Sequence, residues 1–94
     1  MANIVIAVTT TAKKKYIHLN GKLLKFDDDG RSTPAVVLKE GAVVPIAWHF
    51  VGKSKDTISI EAFVDAEGFW KLEKDSIPAD REMGWGMFDL KVPS

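Results

Sequence analysis

Cysteine is absent from this 94-residue chain. Neither a disulfide framework nor a thiolate metal site can form, so the fold must rest on packing alone. No stretch approaches the ~18 consecutive apolar residues of a membrane-spanning helix, and the strongest apolar run, Ala42–Val51, is interrupted by Pro45. Basic residues are missing ahead of the first apolar stretch, Ile4–Val8, which is itself too short for a signal-peptide core. These absences lead to the expectation of a soluble protein with no membrane span, cytoplasmic or exported by a route without a signal peptide.

Excess charge is missing as well: 13 basic and 13 acidic side chains leave a net charge of zero. A nucleic-acid-binding domain normally carries a clear basic excess. Lys13, Lys14 and Lys15, although they stand beside Tyr16, are therefore not read as a phosphate-binding strip. Catalytic signatures are also lacking. There is no Gly-x-Ser-x-Gly elbow, no phosphate loop and no dinucleotide fingerprint. The expectation is a non-enzyme with no cofactor and no metal.

What the chain does have is rhythm. Short apolar stretches recur every eight to twelve residues, separated by turn chemistry, as in small all-β domains. Asn20-Gly21, between Tyr16–Leu19 and Lys22–Phe26, predicts a tight hairpin, because a type I′ turn needs φ > 0 at both central residues. Further strands are expected at Asn3–Thr9, Ala35–Lys39, Ala42–Val51, Thr57–Val64, Phe69–Glu73 and Trp85–Val92. Thr57–Val64 alternates, with Ile58, Ile60 and Ala62 predicted inward. Pro45 cannot donate to a ladder, which predicts an edge strand, a bulge or a break at that point. Pro78 and Gly84 frame a single helical turn over residues 75–83. The whole is one domain, 1–94: a two-sheet antiparallel β-sandwich of seven or eight strands, immunoglobulin-like in outline, with a small barrel as the alternative.

Candidate sites are few. Asp27-Asp28-Asp29-Gly30 offers oxygen ligands of the kind calcium takes, but the twelfth position of such a loop falls on Leu38 rather than a glutamate. Asp and Gly are also preferred turn residues, and a turn is the simpler reading. His18 and His49 lie 31 residues apart on separate strands, which favours structural or solvated roles over metal binding, with His49 expected half-buried between Trp48 and Phe50. Charge is uneven along the chain. Residues 1–26 hold Lys13, Lys14, Lys15, Lys22 and Lys25 and no acid, whereas 56–94 carry nine acids against Lys71, Lys74, Arg81 and Lys91. The two ends either lie side by side or form opposed patches that favour self-association.

The aromatic residues are the most informative remainder. Phe69 and Trp70 are adjacent and in a regular strand would point to opposite faces, so they are not expected to share one core. Gly84-Trp85-Gly86 leaves room for a flat indole face. Trp70, Trp85, Trp48 and Phe50 are accordingly the candidate binding residues, the last two within Ile46–Phe50. Their chemistry fits a protein hot spot, where Trp is enriched. The expected function is a non-catalytic interaction module, a homo-oligomer or a structural subunit of a larger assembly. The alternative is a lectin-like module in which a tryptophan stacks on a glycan.

Overall fold

The computed structural model describes residues 1–94 and contains strands, turns and no helix. Eight strands are present: β1 (Ala2–Thr10), β2 (Lys14–Leu19), β3 (Lys22–Leu23), β4 (Val36–Leu38), β5 (Val43–Val51), β6 (Thr57–Val64), β7 (Glu67–Ser76) and β8 (Met83–Lys91). They form two antiparallel four-stranded sheets, ordered β4-β1-β6-β7 and β3-β2-β5-β8. At one side of the molecule β7 and β8 approach without pairing, so the sheets do not close into a barrel. The result is a sandwich, with the immunoglobulin likeness confined to its two-layer outline. With no helix at all, none is long and apolar enough to cross a membrane.

The core follows from period-two patterning. Ala2, Ile4, Ile6 and Val8 of β1 and Ile58, Ile60 and Ala62 of β6 are buried on the inner face of the first sheet. Ile17 and Leu19 of β2, with Val44, Ile46, Trp48 and Phe50 of β5, meet them from the second. The Asn20-Gly21 turn forms as its chemistry demands, with φ of 52° and 80°. Its second strand is shorter than expected: β3 ends at Leu23, and the chain leaves so that Phe26 can bridge to Ser32.

The segment 27–32 has a structural task. The Asp27 carboxylate accepts hydrogen bonds from the backbone N–H groups of Asp29 (2.9 Å) and Arg31 (3.0 Å), closing a turn. That turn delivers Gly30 and Ser32 to the edge of β1. There Val8 N–H donates to Gly30 O, Ser32 N–H donates to Ile6 O, and Ile6 N–H donates to the buried Ser32 hydroxyl. The edge that β4, only three residues long, leaves bare is thereby covered.

Three expectations are corrected. Residues 75–83 hold no helical turn: Asp75 and Ser76 end β7, and an Arg81 N–H to Pro78 O bond of 3.2 Å makes a tight turn before β8. Pro45 lies in an unbroken central strand without a bulge, paired opposite Asp89. Its carbonyl accepts from Asn20 N–H at 2.8 Å, so the N–H it lacks would face the hairpin turn, where β2 has already ended. No ladder bond with β8 is lost there. Finally, Phe69 and Trp70 do share the core. A register shift between Ala62/Trp70 and Phe63/Gly68 makes Phe69 the extra residue of a β-bulge, and both rings pack partly buried against the core.

Candidate functional site

The inner surface of β8 explains the glycines. Gly84 lies directly opposite Phe50, and Gly86 directly opposite Trp48. A Cβ on Gly84 would meet the Phe50 ring at 2.6 Å, and one on Gly86 would overlap the Trp48 indole. The two glycines thus admit aromatic rings from the core and do not make space around Trp85, which points the opposite way. Trp48 and Phe50, named as candidate binding residues, are 7% and 0% exposed. They are core residues, because β5 is central and its even-numbered positions face the other sheet.

Trp48 also ties the sheets together. Its indole Nε1 donates to Asp75 Oδ2 at 2.8 Å, across to β7. Trp70 packs 6.4 Å from Trp48 and stacks on Phe88 at 5.7 Å with a 30° interplanar angle. These rings close the gap between β7 and β8. Trp70 is half-buried in this cluster and offers only part of its surface to solvent.

Trp85 alone of the candidate residues is open to solvent, at 72% exposure. It belongs to the outer face of the β3-β2-β5-β8 sheet. Cross-strand register places Tyr16, His49 and Trp85 in one row, with Lys14, Val51 and Met83 on one side of it and Leu23, His18, Ala47 and Met87 on the other. The Tyr16 and His49 rings are 5.0 Å apart. His49 is exposed here, not half-buried, because odd-numbered residues of β5 point outward. Sequence reading missed Leu23, Val43, Met83 and Met87, all large, exposed and on this face. The Met83-x-Trp85-x-Met87 alternation was the signal available for the last two.

The outer face of the other sheet differs. It carries Asn3, Thr9, Ser59, Glu61 and Lys71 with one exposed aliphatic residue, Val37, and its one large ring there, Phe63, is covered by the Arg31 guanidinium at 5.1 Å. Of the large exposed apolar side chains, Leu23, Val43, Met83, Trp85 and Met87 lie on the outer face of the β3-β2-β5-β8 sheet.

The electrostatics around the face are sparse. His18 and His49 are diagonal neighbours on it, but no group of three or more His, Asp or Glu side chains gathers there or elsewhere in metal-holding geometry. The basic β2–β3 hairpin sits at one lateral edge and β7 at the other, and no ion pair joins the lysines of residues 1–26 to the acids of residues 56–94. The only ion pair joins the Met1 ammonium to Glu40 at 2.7 Å. Hydrogen bonding from that ammonium holds the Glu40 carboxyl below its ordinary pKa. Beside Trp85 lies a shallow depression lined by Ala79, Asp80, Arg81, Glu82 and Met83. No family model, curated protein or solved structure matches this chain.

Proposed function

We propose that this chain is a non-catalytic interaction module that works through the outer face of its β3-β2-β5-β8 sheet, as a homo-oligomer or as a subunit of a larger assembly. The observation that carries the reading is the gathering of Leu23, Val43, Met83, Trp85 and Met87 on one face, each between 43% and 72% exposed. An indole flanked by flexible thioethers suits an apolar partner surface. The test is sedimentation velocity over a hundredfold concentration range, at low and high salt, for the wild type and for a Trp85→Ser/Met87→Ser double variant. Association that disappears in the variant while its circular dichroism is unchanged supports the reading. Association that persists in the variant removes this face from it.

One observation favours a second reading, a carbohydrate platform at Trp85. The depression beside the ring brings Asp80 and Glu82 near the indole, and carboxylates next to an aromatic face are what a sugar site uses. Against it, Asp75 at the neighbouring rim already accepts bonds from Trp48 Nε1 and Ser76 N–H. Tryptophan fluorescence against a glycan panel decides: quenching by a sugar that Trp85→Ser abolishes would transfer the function to glycan binding, and silence across the panel removes it.

A further inference from the structure

Resting on the interaction reading above, the geometry points to a specific partner and mode: a second copy of this chain, joined edge to edge through β8 in an antiparallel register centred on Trp85. Four strands in this sandwich are edges, and three are guarded. β3 has two residues and β4 has three, the latter beside the covering loop. β7 is long but carries Glu67, Lys71, Glu73, Lys74 and Asp75 and two register shifts. Charges, bulges and brevity are the usual protections against strand addition. β8 is neither short nor bulged, and its only charges, Asp89 and Lys91, stand at its C-terminal end. It runs nine residues in unbroken register with β5, and Met83–Phe88 contains no charge.

Backbone parity shows what that edge offers. Val92 N–H donates to Ala42 O, and Gly52 N–H donates to Glu82 O, so even-numbered residues of this segment bond toward β5. The odd-numbered residues Met83, Trp85, Met87, Asp89 and Lys91 therefore direct N–H and C=O outward, with no strand beyond. These same residues carry the outward-facing side chains, so the bare hydrogen-bonding edge and the apolar row coincide.

A two-fold axis at Trp85 sets residues i and 170 − i opposite one another. Trp85 then faces the partner's Trp85, and Met83 faces the partner's Met87, twice by symmetry. Just beyond, Arg81, in the turn that precedes β8, comes level with the partner's Asp89, again twice, setting opposite charges at both ends of the apolar stretch. On the inner side Gly84 meets the partner's Gly86, so no side chain there obstructs the approach. Shifting the axis by one residue to Gly86 opposes Arg81 to the partner's Lys91, which is repulsive. Shifting it to Met87 sets Trp85 against the partner's Asp89 and Met83 against the partner's Lys91, pairing apolar groups with charges. Of these three registers, charge and hydrophobic complementarity favour the one centred on Trp85.

The absence of native cysteine makes the test clean. Opposed residues of a hydrogen-bonded pair lie ~5.5 Å apart at Cα, inside disulfide range. Under mild oxidation the Met83→Cys/Met87→Cys variant is expected to form a covalent dimer, whereas either single variant stays uncross-linked. Both positions are exposed, so folding is not at stake. Without cysteines, Asp89→Arg is expected to weaken the dimer at least tenfold, and Arg81→Asp/Asp89→Arg to restore it. Leu23→Ser, on the far edge, is expected to leave it unchanged. Cross-linking by Met87→Cys alone, or loss of the dimer in Leu23→Ser, overturns the Trp85-centred edge pairing while self-association stands. Open-ended polymers overturn the two-fold. A monomer at every concentration overturns the pairing and the homo-oligomer reading together.

Discussion

Replacing Gly86 by alanine should cost this domain a large share of its stability. The added Cβ would stand 2.6 Å from Trp48 Cε2 and 2.9 Å from Nε1, where carbon contacts settle near 3.5–4.0 Å. The indole must therefore move by about 1 Å, or β8 must lift from β5. Overpacking of this order costs about 1–3 kcal/mol. A 1 Å displacement also carries the 2.8 Å bond from Nε1 to Asp75 out of range, and hydrogen bonds to charged groups contribute about 1.5–3 kcal/mol. Replacing a strand glycine returns about 0.5–1 kcal/mol. The net loss is about 2–5 kcal/mol, against roughly 5–14 kcal/mol for a domain of this length. At about 4–8 °C per kcal/mol, a central value of ~3 kcal/mol lowers Tm by about 12–24 °C. Thermal unfolding followed by far-UV circular dichroism measures this directly. In a Trp48→Phe background, where the indole and its Asp75 bond are both gone, the same substitution should cost at least ~1 kcal/mol less. A Gly86→Ala protein melting within about 4 °C of wild type would refute the packing argument.

Two further outcomes follow from the same structure. Asp75→Ala strands the Trp48 N–H and should destabilise by about 1–3 kcal/mol, whereas Asp75→Asn keeps an acceptor and should cost clearly less; equal losses in urea unfolding would mean that the bond is incidental. Gly30→Ala places a Cβ 2.5 Å from the Val8 carbonyl oxygen at a φ of 77°, a clash with backbone that should cost at least ~2 kcal/mol. Gly21→Ala, at a φ of 80° with nothing within 4 Å, meets only left-handed strain of about 1 kcal/mol, so the two melts should differ in that order.

The candidate site was only partly legible. Trp85 was found because Gly84-Trp85-Gly86 stands out in any strand, yet the reason assigned to the glycines was inverted. Alternation shows that Gly84 and Gly86 lie opposite to Trp85; it does not show that rings from β5 rest on them. Trp48 and Phe50 were misplaced for a related reason. His49 between them made either face of β5 a reasonable inner face, and only the assembly of the two sheets into one buried core, with Val44, Ile46, Trp48 and Phe50 inside it, decides it. Phe69 and Trp70 defeated the alternation rule through a bulge, which inserts one residue into the pattern and leaves little mark in composition.

By itself the sequence determined what is local: the type I′ turn at Asn20-Gly21, the strand periods, the all-β class, the exclusion of disulfides. These depend on φ/ψ preferences and on neighbours one or two residues away. Tertiary structure alone decided which strands became edges and which sheet face stayed bare. Pairing β5 with both β2 and β8 made a proline-containing strand central, left β8 terminal, and gathered Tyr16, His49 and Trp85 from three distant segments into one row. Strand order is a choice among pairings of similar local quality. It is settled by the summed burial of the whole core, which no window along the chain contains.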